Sequence, residues 1–405
     1  MSPFGDYYKS PLSDNGVFMQ RRHFIRVLGG GLIFAAGAGA AGCSASMPDD
    51  AVAAWRGPGG EPDLRRWFLG WAILAPHSHN LQSWVVDLSQ PGQMTLYCDP
   101  QRLLPQTDPY ARQIMMSHGT FLELLDIAAR ERGQRAEITL FPDGPFDPAK
   151  ADARPVAHVR LQPDPGVARD PLFAQITQRH TNRQPYEMGR PVSPAAWQAM
   201  QQAAAADGLQ FGHTADPAAL PAHRAIAREG WRIEMTTPAA ILESYHWLRV
   251  GPGEVSRHRD GLSLLEPKVV WFDRLGLFDR TRAPGPDDFA TTSQIAQFDT
   301  LIEATPAFLW IVSDDNDRAT QVRAGRAYVR AQLAATAHGV AMHPLQQALQ
   351  EYPEQAQPYA QIRRLLGADS GARTVQMWAR VGHAPTVDPA PRRGVQAQLR
   401  KTASA

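Results

Sequence analysis

A polar loop at residues 75–84, with the sequence APHSHNLQSW, carries side chains that both donate and accept hydrogen bonds. We call this segment the Asn loop. Ser78, Asn80 and Gln82 alternate along it, and hydroxyl and amide groups of this kind can read the edge of a planar heterocycle. The same residue types also cap helices and build turns, which is the structural alternative. The loop is therefore a candidate binding site for a small ring-shaped ligand.

A basic cluster at residues 178–183, with the sequence QRHTNR, has the chemistry of a phosphate site. Arg179 and Arg183 are four positions apart and would share one helix face if a helix continued through them. With the hydroxyl of Thr181 they offer charge-assisted donors to a phosphate. His180 lies beside both arginines, which disfavours its cation, so it is a hydrogen-bond donor rather than an acid. A solvated basic surface is the alternative.

More arginines stand near the end of the chain. Arg380 opens the sequence RVGHAP at residues 380–385, and Arg392 and Arg393 follow. Two arginines around a dianion would satisfy a phosphate group. Basic residues near a C-terminus are also commonly solubilising.

Apolar periodicity predicts an α+β fold in which the second half repeats the order of elements in the first. The predicted helices cover residues 64–74, 114–132, 171–179 and 319–338, and the predicted strands cover 84–88, 94–98, 137–141, 156–161, 307–313 and 375–381.

A proline- and glycine-rich linker at residues 145–155 separates the halves, which we place at 63–150 and 151–395. An insertion at about 245–289, which includes Trp271, either covers the core or closes as a lid over a bound ligand.

Composition limits the functions that the chain could have. The 41 basic residues balance the 40 acidic residues, which argues against nucleic acid as a partner. Cys43 and Cys98 are the two cysteines, so Cys98 has no intramolecular disulfide partner if Cys43 is modified or removed. No third ligand accompanies His77 and His79, and we therefore expect no metal site.

The N-terminus has the features of an export signal. Arg21 and Arg22, followed by Phe24 and Ile25, resemble the twin-arginine recognition motif, and residues 27–41 form an uncharged stretch rich in Gly and Ala. This export route carries proteins that are already folded. We therefore expect a periplasmic protein that leaves the cytoplasm with its cofactor bound.

Cys43 ends a lipobox-like sequence, and a lipid on this residue would anchor the protein to a membrane. We place the signal peptide at residues 1–43, a tether at 44–62 and a tail at 396–405. Three alternatives remain: cleavage at Ala-x-Ala without lipid, an uncleaved N-terminal anchor, and a cytoplasmic enzyme whose N-terminus only resembles a signal.

The motifs together resemble the FMN-dependent nitroreductase family. The Asn loop is similar to its A-P-S-x-x-N-x-Q-P-W loop, residues 179–183 to its R-(S/H)-(S/T)-x-(R/K) phosphate motif, and residues 380–385 to its R-x-G-Y-P strand end. Residues 337–344 resemble the helix end and turn beneath the isoalloxazine. Because the Asn loop precedes the phosphate motif, the order is similar to the Acg-like branch, in which one polypeptide mimics the family's dimer. The resemblance covers residues 63–395.

This resemblance implies one non-covalent FMN per chain. Arg179, His180 and Thr181 would hold its phosphate, helped by Arg392 or Arg393. Arg183 matches a basic residue near N1 and O2 of the flavin, where a fixed cation would stabilise the reduced ring. It implies no side-chain acid or base, because the flavin carries the electrons.

The resemblance also places residues along the rest of the flavin. Ser78, Asn80 and Gln82 match the loop that meets the ribityl chain and the pyrimidine edge. The turn that passes N5 is matched by Pro344, Leu345 and Gln346. Gln346 and Gln347 stand where the family often has Glu-Gly. Because of this difference, the resemblance does not establish whether a nicotinamide can reach the flavin.

The implied function is a flavoprotein oxidoreductase of nitroreductase type, with two-electron transfer through FMN, NAD(P)H as a donor and a small-molecule electron acceptor. The alternative is an exported protein that binds or sequesters FMN without efficient turnover, because free NAD(P)H is not expected outside the cytoplasm. For either function we expect a monomer or a weak dimer.

Overall fold

The computed structural model describes residues 46–400. The predicted signal peptide at 1–43, Cys43 and the last five residues of the predicted tail lie outside this part of the chain. Within residues 46–400, no helix is long and apolar enough to cross a lipid bilayer.

The described residues form helices and strands in alternation, which confirms the predicted α+β class. The helices are α1 (Leu64–Ala72), α2 (Arg112–Glu131), α3 (Pro194–Ala203), α4 (Leu220–Thr236), α5 (Pro238–His246), α6 (Gly251–His258), α7 (Pro267–Arg274), α8 (Phe289–Glu303), α9 (Arg318–Ala337) and α10 (Ala356–Leu365). The predicted helices at 64–74, 114–132 and 319–338 correspond to α1, α2 and α9.

The first half contains a four-stranded antiparallel sheet in the order β1-β2-β4-β3. Its strands are β1 (Trp84–Asp87), β2 (Gln93–Cys98), β3 (Gln134–Leu140) and β4 (Pro155–Pro163). α2 connects β2 to β3 and packs against the inner face of this sheet, where the first hydrophobic core lies.

The second half contains another four-stranded antiparallel sheet, in the order β5-β8-β10-β9. Its strands are β5 (Leu209–Thr214), β8 (Ala307–Ser313), β9 (Ala341–Pro344) and β10 (Thr374–Gly382). Two short strands between β5 and β8, β6 (Leu248–Val250) and β7 (Leu262–Leu264), form a separate parallel pair. α9 connects β8 to β9 as α2 connects β2 to β3. The two sheets therefore share one topology, as expected for two fused halves.

One predicted boundary between the halves is wrong. The strand at 156–161 was assigned to the second half, but β4 pairs with β2 and β3 and completes the first sheet. The first half therefore extends to residue 163, because the turn-rich segment before β4 is a connection within that half. Residues 215–306 separate β5 from β8, where a short turn separates β1 from β2. The predicted insertion at about 245–289 lies inside this segment, and its bounds stay a prediction.

The segments predicted as a tether and a tail pack onto the body. Ala51 is fully buried and Trp55 is 9% exposed, and the Trp55 indole nitrogen donates to the carbonyl of Ala390 at 2.8 Å. Arg400 donates its backbone N–H to the carbonyl of Val86 at 2.8 Å, beside β1. Glycine and proline in the tether suggested a mobile spacer, but its apolar side chains have buried partners.

α2 and α9 cross at the centre of the molecule through two glycines. A Cβ atom on Gly119 would lie 2.0 Å from the carbonyl oxygen of Val322, and one on Gly325 would lie 1.9 Å from the carbonyl oxygen of Met116. Each glycine is the eighth residue of its 20-residue helix. The backbones approach so closely that only glycine fits at the crossing point.

Candidate functional site

Two guanidinium groups pack against one tryptophan ring beside the Asn loop. Arg179 is 2% exposed and Arg392 is 3% exposed. Their guanidinium carbons lie 5.7 Å and 5.1 Å from the centre of the Trp55 ring. His180 meets the same ring edge-on, with the ring centres 4.9 Å apart. The predicted phosphate motif and the C-terminal arginine therefore come together, and Trp55 joins them.

The two guanidinium groups donate to uncharged oxygens. Arg179 donates to the carbonyl of Leu74 at 2.9 Å and to Oε1 of Gln332 at 3.1 Å. Arg392 donates to the carbonyls of Leu74 and Ala75 at 3.2 and 3.0 Å. These carbonyls follow the C-terminal end of α1, where a helix dipole attracts cations.

Arg392 also donates to Oδ1 of Asn80 at 2.7 Å and to the carbonyl of Pro391, the residue that precedes it in the chain. No acceptor of Arg179 or Arg392 among residues 46–400 is a carboxylate. Burial lowers the pKa of Arg179 to about 10, and burial together with the charge of Arg179 lowers the pKa of Arg392 to about 9. Both side chains are charged at neutral pH, so two buried positive charges lie close together with no carboxylate of residues 46–400 bonded to either.

Some polar atoms of this cluster have no partner within the described residues. They include Nε of Arg179, Nε of Arg392 and Nε2 of His180. Burial and then the charges of Arg179 and Arg392 lower the pKa of His180 to about 4, so this ring is neutral at pH 7. A buried polar atom without a partner costs free energy, and a bound ligand would remove that cost.

The Asn loop reaches this cluster through strained backbone. His79, Asn80 and Gln82 have φ values of 48°, 53° and 54°, in the left-handed region that disfavours side chains with a Cβ. Strain of this kind is found at binding sites, where the surrounding structure holds it.

The amide groups of the loop are occupied by the protein's own backbone. Asn80 donates to the carbonyls of Gly261 and Pro391 at 3.2 and 3.1 Å. Gln82 donates to the carbonyl of Arg259 at 2.9 Å. The loop is thereby fastened to the insertion and to the C-terminal segment, and its predicted contact with a heterocycle stays a prediction.

Arg393 and Ser78 have other partners. Arg393 donates its backbone N–H to Oε1 of Gln82 at 2.9 Å and its side chain to Oε1 of Gln398 at 2.9 Å. The N–H of Ser78 donates to Oγ of Ser117 at 3.2 Å, on α2. The hydrogen bonds of both residues hold the Asn loop in place.

The second arginine of the basic cluster does not follow the first along a helix. Residues Pro171–Gln175 form only a 3₁₀ turn, so the predicted helix at 171–179 is wrong. The chain instead becomes extended, and Thr181 forms an isolated parallel bridge with Met342 of β9. Arg179 and Arg183 therefore do not share a helix face.

Arg183 has no hydrogen-bond partner within the described residues. Burial and the neighbouring charge of Arg380 lower its pKa. Arg380 is itself held, because its Nε donates to Nδ1 of His343 at 2.9 Å and its guanidinium lies 4.0 Å from the centre of the Tyr186 ring. Arg183 is thus a free cation beside a second arginine.

The turn after β9 lies at the edge of the second sheet. Pro344 pairs with Ala379, and the N–H of Leu345 donates to the carbonyl of Trp378 at 2.8 Å. The Leu345 side chain is buried in the core at 1% exposure, whereas Oε1 of Gln346 accepts no hydrogen bond from the described residues.

Two surface cavities lie elsewhere, between the segment after β2 and α5. Their volumes are ≈490 Å³ and ≈350 Å³. Pro105, Gln106 and Ala239 line both of them. Neither is lined by an arginine of the predicted site.

The insertion does not present its most prominent aromatic residue to the site. Trp271 is 62% exposed. The contact with the Asn loop is made instead by the turn at residues 259–261, where Asp260 accepts from Arg102 at 2.6 Å and from Arg249 at 2.8 Å. A lid role for the whole insertion stays a prediction.

The Cys98 side chain is 4% exposed, and burial raises the pKa of its thiol to about 12. It therefore remains protonated and packs as a small apolar residue, as expected for a core cysteine.

Comparison with known proteins finds relatives that are named nitroreductases. Two Mycobacterium tuberculosis proteins, from strains CDC 1551 and H37Rv, are provisionally named NAD(P)H nitroreductases. Each is 28% identical to this chain over 340 residues, which covers 80% of this chain and 87% of the relative. An uncharacterized protein of strain H37Rv is 32% identical over 138 residues, which is 33% of this chain and 37% of the relative. No known family profile matches the chain.

Solved structures are matched at lower identity. An FMN- and NADPH-dependent nitroreductase from sphigopyxis sp. strain HMH is 18% identical, with a TM-score of 0.36 and coverage of 57% of this chain and 99% of that one. An iodotyrosine deiodinase bound to FMN and 3-iodo-L-tyrosine is 14% identical, with a TM-score of 0.32 and coverage of 55% and 94%. The sequence likeness over four fifths of the chain supports the nitroreductase family.

Proposed function

We propose that this chain is an FMN-dependent oxidoreductase of the nitroreductase family, related to its Acg-like branch. The observation that supports this function is the pair of buried guanidinium groups, Arg179 and Arg392, which stack on Trp55 and have no carboxylate partner in the described part of the chain. The phosphate of FMN is a dianion, and two arginines supply the charge and the directed N–H groups that it requires.

The donor set of the cluster fits a phosphate. Burying unpaired cations is costly, and a bound dianion at this position would neutralise both of them. The unpaired Nε atoms of Arg179 and Arg392 would supply hydrogen bonds in addition to charge. Thr181 and His180 follow Arg179 directly and would border the same group.

FMN would supply two-electron transfer at its ring, with NAD(P)H as the donor. Arg183 is the residue that best fits the negative charge of the reduced ring, because it is free of hydrogen bonds among residues 46–400 and its charge is poorly compensated. Pro344 and Gln346 would border the reactive face of the ring.

A second candidate function is FMN binding without efficient turnover. The observation that favours it is the fastening of Asn80 and Gln82 to the backbone of the insertion and the C-terminal segment. A closed Asn loop would restrict the approach of a nicotinamide to a bound flavin. Addition of NADPH under anaerobic conditions separates the two functions, because bleaching of the flavin requires nicotinamide access.

Arg179→Ala tests the phosphate site. The variant leaves the phosphate under-paired, which should weaken FMN binding by about 2 to 3 kcal/mol, or roughly 30- to 150-fold. Riboflavin lacks the phosphate and should keep its affinity. Quenching of flavin fluorescence measures both dissociation constants.

Arg160→Ala is the matched control, because Arg160 lies on β4 at 56% side-chain exposure and pairs with Glu137. It should change neither affinity. Equal weakening of FMN and riboflavin by Arg179→Ala would mean that Arg179 serves the fold and not the phosphate.

We also propose export through the twin-arginine route, with Cys43 as a lipid anchor. The support is the sequence of residues 20–43 alone, which lie outside the described part of the chain. Replacing Arg21 and Arg22 together by lysine should retain the protein in the cytoplasm, because the transporter reads the arginine pair and not charge. Cell fractionation measures the outcome, and an unchanged periplasmic yield would refute this route.

A further inference from the structure

α9 presents two buried polar side chains to the arginine cluster. Tyr328 and Gln332 are four residues apart and therefore lie on one face of the helix. They are 3% and 1% exposed. Oε1 of Gln332 accepts from Arg179 at 3.1 Å, but its Nε2 and the hydroxyl of Tyr328 have no partner within the described residues.

These two groups add donors to a place that already has unpaired donors. Tyr328 interacts with the charges of both Arg179 and Arg183, and burial nevertheless raises the pKa of its hydroxyl. The phenol therefore keeps its proton and can donate. The amide nitrogen of Gln332 can only donate.

The carbonyls at the end of α1 do not explain this arrangement. The carbonyl oxygens of Leu74 and Ala75 accept hydrogen bonds from the guanidinium groups and so stabilise part of their positive charge. Neither carbonyl accepts from Tyr328 or Gln332, whose donors remain unpaired at a cost of about 1 to 3 kcal/mol each. If the cluster only stabilised the fold, no interaction among the described residues would offset this cost.

We propose that Tyr328 and Gln332 complete the anion site and are specificity-determining residues for a terminal phosphate monoester. This inference rests on the proposed FMN function and names the residues of α9 that serve it. Donors then surround the phosphate from Arg179, from α9 and from Arg392. Because these residues are at most 3% exposed, the site encloses the end of a ligand, which favours FMN over a flavin dinucleotide.

Tyr328→Phe tests the hydroxyl. Since no protein partner is lost, the apoprotein should unfold at an unchanged or higher temperature. FMN should bind about five- to tenfold more weakly, and riboflavin should change less than twofold. Tyr352→Phe is the control, because the Tyr352 hydroxyl accepts from Gln355 at 3.1 Å in a different part of the core, and it should leave the ratio of FMN to riboflavin affinity unchanged.

Gln332→Glu tests the same site by adding a negative charge where the phosphate is expected. A carboxylate at this position would pair with Arg179, so the apoprotein should unfold at a higher temperature. It would also repel the phosphate, so FMN affinity should fall on the order of a hundredfold while riboflavin stays within twofold. A residue with a purely structural role would not produce opposite effects on apoprotein stability and FMN affinity.

Two results would overturn the inference. One is an unchanged ratio of FMN to riboflavin affinity in both variants, and the other is equal weakening of both flavins. If the wild-type chain binds neither flavin, the proposed function fails separately. Thermal unfolding with inorganic phosphate then decides the anion site: it should stabilise the wild type more than Gln332→Glu, and an equal effect would refute the site.

Discussion

The carboxyl group of Glu234 is buried on α4 at 3% exposure, where its Oε2 accepts from Nε2 of Gln350 at 2.9 Å. Burial raises its pKa to about 7. In the unfolded chain this group titrates near 4.5, so the folded state binds more protons between these two pH values. The free energy of unfolding therefore falls as the pH rises through this window.

Glu234→Gln mimics the protonated acid and removes this penalty. Relative to the wild type, the variant should have an unchanged free energy of unfolding at pH 4.5 and should be more stable by up to about 3 kcal/mol at pH 8. Urea unfolding at the two pH values measures the difference. Glu187→Gln, at a 49% exposed side chain, is the control and should differ little at either pH. An equal gain at both pH values would contradict a titrating buried carboxyl.

Some residues of the candidate site were predicted from the sequence, and others were missed. Arg179 and Arg392 were identified because arginine is the side chain that phosphate chemistry requires, and the structure brings them together. Trp55 was missed, because it lies in a Gly- and Pro-rich segment whose composition indicated a tether. Tyr328 and Gln332 were also missed, because a tyrosine and a glutamine within a helix carry no local signal that their polar atoms lack partners.

The crossing of α2 and α9 is the element-scale contact on which both halves depend. Glu123 on α2 accepts from Arg326 at 2.6 Å and from Arg330 at 2.7 Å on α9, so ion pairs flank the glycine contact. Since Gly119 and Gly325 meet facing backbone directly, a side chain at either position requires the helices to separate.

Gly325→Ala should destabilise the protein by about 2 kcal/mol or more, because its Cβ would overlap the Met116 carbonyl and the helix backbone cannot easily move aside. Gly253→Ala is the matched control. This glycine lies in α6 with no atom within 4 Å of a new Cβ, so alanine there should be neutral or should stabilise by about 0.5 to 1 kcal/mol. Thermal unfolding compares the two variants. Equal stability of both would show that the helices do not pack this closely.

Secondary structure was largely predictable from apolar spacing, and the strand at 307–313 has the predicted bounds. The pairing of β4 was not predictable, because a linker-like composition precedes a strand that returns to its own sheet. The helix at 171–179 failed for another reason. Its last residue, Arg179, is held by contacts to Leu74 and Gln332, which no local pattern encodes.

At the scale of the whole molecule, the halves are related by a repeated helix. Arg112, Gly119 and Gly133 correspond to Arg318, Gly325 and Gly339, each pair 206 positions apart. The guanidinium of Arg112 donates to the carbonyl of Leu349 at 2.7 Å in the second half, and that of Arg318 donates to the carbonyl of Asp147 at 2.8 Å in the first. The arginine that begins each central helix thus forms a hydrogen bond with the backbone of the opposite half.

The repeated order of elements was predictable from apolar spacing, but this register was not. Only five of the 22 residues at 112–133 match those at 318–339, which is too few to recognise without the helix crossing as a guide. The arginine cluster lies where segments of both halves meet, since Leu74 precedes the first sheet and Gln332 lies on α9. The Asn loop and the phosphate motif each occur once in the chain, so a single ligand site per chain is expected.

The visible absorption spectrum of the purified chain during titration with FMN tests the central claim most directly. The proposed function predicts a yellow protein, or a colourless one that becomes yellow and saturates at one FMN per chain. Bleaching by NADPH under anaerobic conditions would then support turnover, and a stable yellow colour would support binding alone. A colourless, folded protein that takes up no FMN would contradict both functions and the assignment of Arg179 and Arg392 to a flavin phosphate.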